Sequence, residues 1–303
     1  MEFGIDATMI TDADIRIAGN QGVEFNNDAT VGAASSDGSA EHGHIAIESA
    51  SGDVVFADGA IVYGDRSFKA NAGGNIVLTG DSDLNSDLLV ELVAKGDILM
   101  RDSIRLGDND SGQLTEKVVL EAGGNIVQSD IGADMGIVAQ NLTATAGGDV
   151  SIGSTGIDGD TGNSFNAADI AAGGDVTIGV RDVGQTSIDI NREKQGEVAG
   201  NVSIVAIDTD VKLGGIDVVG DVNIVAEGVT SDKIHAQGGV QIATSGYDHD
   251  ATDGVRITSL TGSEVTVVTG EGEVAIGKLV TTEGNANIYR KETTVAGKVD
   301  LGQ

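Results

Sequence analysis

Carboxylates are the residues best placed to do chemistry in this sequence. Asp108-Asn109-Asp110-Ser111-Gly112 and Asp158-Gly159-Asp160-Thr161-Gly162 each set two Asp two positions apart with a turn-forming Gly, as hard-cation loops present oxygen ligands. Asp248-His249-Asp250-Ala251-Thr252-Asp253-Gly254 offers three carboxylates within six residues, and Asp81-Ser82-Asp83 with Asp87 is similar. The expected chemistry is calcium coordination, with Asp108, Asp110, Asp158, Asp160, Asp248, Asp250 and Asp253 as ligands. None of these loops completes the twelve-residue EF-hand with its terminal Glu or the glycine-rich nonapeptide of calcium-binding β-rolls. The competing reading is solvated Asp that builds turns.

Other chemistries fit less well. His42 and His44 beside Glu41 are spaced to share one strand face and would hold a transition metal only with a third ligand, which the sequence does not supply. His235 and His249 are isolated, with no nucleophile near either. Gly272-Glu273-Val274-Ala275-Ile276-Gly277-Lys278 imitates a phosphate loop, but Leu279 stands where a magnesium-binding hydroxyl belongs. No catalytic residue is expected.

Composition narrows the partners. A formal charge of −31, from 48 acids against 17 bases, opposes binding to nucleic-acid phosphates or anionic lipid. No apolar run approaches the ~18 residues of a membrane span, and no basic-then-apolar leader opens the chain. Cys, Pro and Trp are absent, so neither disulfides nor thiolate metal sites form. With 40% apolar residues, many of them β-branched, the chain has a core to bury.

What would position any site is a repeat. A glycine, an Asp or Asn, a branched aliphatic, any residue and another apolar recur at Gly52-Asp53, Gly74-Asn75, Gly96-Asp97, Gly124-Asn125, Gly148-Asp149, Gly174-Asp175, Gly200-Asn201 and Gly220-Asp221. The steps between these glycines are 22, 22, 28, 24, 26, 26 and 20. Each copy alternates apolar and polar at period two, as a half-buried strand does, and a second alternating stretch usually precedes the glycine. The unit reads strand, Gly turn, strand, polar loop, with Gly accepting positive φ and Asx bonding its own backbone.

Such a unit cannot close a core alone, so units must stack. The expected fold is an all-β, right-handed parallel β-helix of about a dozen coils of ~24 residues, paired at ~4.8 Å. Residues 1–303 form one domain, regular over about 43–226 and looser at both ends. Stacked Asp would repel by roughly 0.9 kcal/mol per pair in water, which interleaved Asn relieves, adding an amide ladder. Absence of Pro agrees with strands paired on both edges.

Ala122-Gly123-Gly124-Asn125-Ile126-Val127-Gln128-Ser129, followed by Leu142-Thr143-Ala144-Thr145-Ala146-Gly147-Gly148-Asp149-Val150, resembles the repeats of filamentous-haemagglutinin-like exoproteins, among the large repetitive adhesins of bacterial surfaces. The resemblance covers roughly residues 43–226 and rests on folding residues. It implies secretion, an extracellular or cell-surface location and an elongated stalk or fibre, with binding by loops or a separate tip. The family's N-terminal secretion domain is not seen, so an excised segment of a longer chain or a free-standing relative that assembles is expected. Three functions compete: a structural module that meets a cell-surface or matrix receptor, a subunit that polymerises with itself end to end, and a polysaccharide lyase or hydrolase on a pectate-lyase-like β-helix. The scattered Tyr63, Tyr247 and Tyr289 and the scarcity of Lys and Arg count against the enzyme.

Overall fold

Period-two alternation puts one side of each repeated phrase inside and the other outside, and the computed structural model has that architecture. It describes residues 1–303 except 5–6, 34–42, 103, 108–113, 130–135, 154–162, 182–184, 191–199, 208–209, 245–253, 271–272, 291–298 and 302–303. Among the described residues there is no helix, and strands pair in parallel from coil to coil, as Ile76 with Ile98 and Val202 with Val222. The fold is a β-solenoid. The chain falls into two compact units, Met1–Ser154 with Asp160–Phe165, and Thr155–Gly159 with Asn166–Gln303.

In the first unit a coil has three faces. The repeated phrase supplies the first, as in Asp53–Phe56, Ile76–Leu78 and Ile98–Arg101. The stretch before the glycine supplies the third, as in Ser67–Ala72 and Leu89–Ala94. Between them the sequence suggested only a polar loop, yet short strands such as Ile61–Gly64 and Asp83–Ser86 make a second face. In the second unit the last two faces merge into bent strands such as Gly228–Ala236 and Gly254–Gly262. Two successive exposed residues, Asp232 and Lys233 in Gly228–Ala236, mark the bend where inside and outside exchange. First-face strands number seven in one unit and six in the other among the described residues, slightly more than the dozen coils expected.

Parallel register stacks like on like. Val54, Ile76, Ile98 and Ile126 form one inner column of the first unit; Val202, Val222, Val240 and Val265 form its counterpart in the second. Each such side chain removed from water contributes about 1.5–3 kcal/mol. Phenylalanine rings are also inside: Phe25, Phe56, Phe68 and Phe165 are wholly buried. Phe56 stacks on Phe25 at 5.1 Å and meets Phe68 edge-on at 5.9 Å.

An inner column of the first unit holds a buried side-chain amide. Gln128 stands in register with Met100 and is 3% exposed. Its amide exchanges hydrogen bonds with that of wholly buried Asn163, at 3.1 and 3.0 Å, and the Asn163 Oδ1 also accepts the Ile137 N–H at 2.8 Å. Removing one partner of a buried bond leaves the other unsatisfied, at about 1–3 kcal/mol. Asn163→Ala is therefore expected to destabilise the first unit by about 2 kcal/mol, read as a lower urea midpoint.

Candidate functional site

The Gly-Asx corner is where the repeated residues meet. Each Asx side chain reaches the next coil: Asp53 Oδ1 accepts the Asn75 N–H at 2.7 Å, Asn75 Oδ1 that of Asp97 at 2.8 Å, Asp97 Oδ1 that of Asn125 at 2.6 Å, and Asn125 Oδ1 that of Asp149 at 2.8 Å. In the second unit Asp175 Oδ1 accepts from Asn201, Asn201 Oδ1 from Asp221, and Asp221 Oδ1 from Gly239, at 2.7, 2.9 and 2.7 Å. The Asx therefore bonds the backbone one coil on. Either residue type serves because only Oδ1 is needed, and a side-chain amide contact, Asn201 Nδ2 to Asp175 Oδ1 at 3.1 Å, adds to the column. Asp and Asn alternate strictly within each unit, which separates the carboxylates by two coils, about 9.6 Å at the parallel-strand spacing.

The glycines have a different reason from the one the turn suggested. Gly74, Gly96, Gly124, Gly148, Gly200 and Gly220 do not have left-handed φ; a Cβ on any of them would overlap the Asx Oδ1 of the coil before. A true left-handed glycine occurs at the next corner, where Gly80 has φ 62° and Asp58 Oδ1 accepts the Asp81 N–H at 3.1 Å. There the Asp81-Ser82-Asp83 loop builds structure. Ser82 is wholly buried and donates to the Thr79 carbonyl at 2.6 Å, while Asp83 accepts from Asn85 Nδ2 and lies 3.8 Å from Arg105.

The seven calcium candidates, Asp108, Asp110, Asp158, Asp160, Asp248, Asp250 and Asp253, lie outside the described residues, as do Glu41, His42 and His249. Among the described residues no three His, Asp or Glu group to hold a metal ion. His44 Nδ1 lies 2.8 Å from Ser67 Oγ. The phosphate-loop imitation runs through the strand Glu273–Thr281, with Lys278 exposed. No helix among the described residues is long and apolar enough to cross a membrane.

One charged cluster escaped notice in the sequence because its members are 16 and 18 residues apart. On the third face of the second unit Asp217 Oδ2 meets Lys233 Nζ at 2.7 Å and Asp217 Oδ1 meets His235 Nδ1 at 2.9 Å. Partial burial opposes ionisation of Asp217, but the hydrogen bonds and charges of Lys233 and His235 outweigh it and hold its pKa below the ordinary carboxylate value. A carboxyl depressed on folding stabilises above its unfolded pKa and loses that contribution as pH falls through the folded one. Asp217→Asn is expected to lower the melting temperature slightly at pH 7, within the ~0.2–1 kcal/mol of exposed pairs, and the gap should close as the medium is acidified below pH ~3.9, the free Asp value.

Compared with protein-family models, with curated proteins and with solved structures, the chain gives no match.

Proposed function

We propose that this chain is a non-enzymatic structural module, the stalk or fibre segment of a secreted or cell-surface bacterial protein. The observation that carries this reading is the use made of the repeated residues. Gly and Asx, the most regular positions in the sequence, are consumed in holding one coil to the next through backbone bonds such as Asn125 Oδ1 to Asp149 N. Cross-coil bonding of this kind suits a part that spans distance and resists local unfolding. The resemblance to haemagglutinin-like exoproteins points the same way. Electron microscopy of the purified chain is the test: stiff particles of one length support the stalk. Turnover of uronic-acid polymers would overturn it in favour of an enzyme.

A second reading, end-to-end polymerisation, has its own observation. Met9 aligns with buried Val31 on the inner side of the second face but is 41% exposed, and the strands Glu2–Phe3, Thr8–Thr11 and Ile15–Gly19 each pair on one edge among the described residues. An edge of this kind pairs equally well with a preceding coil of the same chain or with the end of another copy. Indefinite filaments in the same micrographs would favour a polymer over a stalk.

A further inference from the structure

The Asx column of the second unit ends at Gly239. Val222 aligns with Val240, so Gly239 holds the place that Asp221 holds one coil earlier. It receives the ladder through its N–H but has no side-chain oxygen to pass on. Space does not demand this glycine. A Cβ there would stand 3.7 Å from Asp221 Oδ1 and 3.8 Å from the Glu264 carbonyl, ordinary contacts without left-handed φ, whereas one on Gly238 would overlap Asp221 Oδ1. Gly239 lies in an open groove of about 490 Å3, lined also by Asp221, Asn223, Gln241, Glu264 and Thr266.

The groove borders a surface with an unusual composition. On the outward side of the first face Thr177, Ser203, Asn223, Gln241, Thr266 and Asn287 align coil upon coil. Beside them run half-buried Val225, Ala243 and Val268 and then Tyr289, which is 57% exposed. None of these outward positions is charged, in a chain of net charge −31.

We propose that the Gly239 notch and the two columns beside it bind a neutral, hydroxyl-rich glycan chain. Asn and Gln amides offer both donors and acceptors, and Asp and Glu offer paired acceptors, which together match neighbouring sugar hydroxyls. The aliphatic column and Tyr289 give the C–H faces of a sugar an apolar surface. An anionic polymer would meet Asp221, Glu264 and the charge of the whole chain. A cation would find no third carboxylate or imidazole beside Asp221 and Glu264, since no three such groups cluster among the described residues. This site does not rest on the stalk reading.

The test is affinity electrophoresis of the full chain through gels containing soluble β-glucan, xylan, galactomannan or, as the anionic control, polygalacturonate. Retardation in at least one neutral gel, with none in polygalacturonate, is expected. Gly239→Asn places a side chain in the middle of the groove and supplies an Oδ1 to the next coil, so it should melt at a higher temperature than the parent while losing retardation at least tenfold. Gln241→Ala should weaken retardation without raising the melt. Absence of retardation in every neutral gel, retardation in polygalacturonate alone, or unchanged retardation of a folded Gly239→Asn would overturn the proposal.

Discussion

Gly148→Val is expected to destabilise the first unit by about 2–4 kcal/mol, combining the overpacking of a close contact with a lost hydrogen bond. A Cβ at Gly148 overlaps Asn125 Oδ1, the same atom that accepts the Asp149 N–H. Asn125 must therefore rotate away and release its bond, or the two coils must separate. Removing the obstacle tests the cause. In the double variant with Asn125→Gly, the loss from Gly148→Val should shrink by about 0.5–3 kcal/mol, the coupling typical of touching residues. Urea unfolding of the four proteins of the cycle reads it; purely additive losses would mean that the glycine serves something other than the ladder.

Phe56→Ala should cost more, about 3–5 kcal/mol. The ring is wholly buried and touches two others, Phe25 face to face and Phe68 edge-on, so truncation removes two aromatic contacts as well as apolar area. Its column is flanked by backbone held in register on both sides, Phe56 pairing with Phe25 and Leu78, and such a site closes poorly around a void. Phe56→Leu, which keeps most of the volume, should lose less than half as much. A melt of Phe56→Ala equal to that of the parent would show that these rings do not anchor the first unit.

The stacked fold was legible because one phrase repeats with its apolar slots in phase, as Val54 and Phe56 recur in Ile76 and Leu78. The second face was not, since Ile61–Gly64 and Asp83–Ser86 are four residues each, too short for alternation to stand out. Asx was readable as a turn residue, but its acceptor role was hidden because the donor lies a whole coil away, 22 residues in the case of Asp53 and Asn75. The glycines misled in the same way: a turn suggests positive φ, while the real constraint is a neighbour from another coil. Gln128 did carry a signal, a polar residue in an apolar slot, and Asn163 is the partner that slot required. The uncharged column beside the notch was also present in the text, as the polar slot filled by Thr177, Ser203 and Asn223 without a single acid.

Through the middle coils of the first unit the Gly-Asx corner keeps one length. From Ala72, Ala94, Ala122 and Ala146 at the end of the third face, three residues lead to the first aliphatic of the next coil, Ile76, Ile98, Ile126 and Val150. A residue added there must be taken up within the bend, as between Ser49 and Val54, where four residues stand in place of three and Val54 and Phe56 still face inward; otherwise every following side chain of that strand would turn inside out. Such an architecture can therefore grow by duplicating whole turns and diversify by swapping peptides at the roomier bends. This tight bend, which departs from three residues by no more than one in the coils at Ser49, Gly262 and Thr281, keeps each new turn in step.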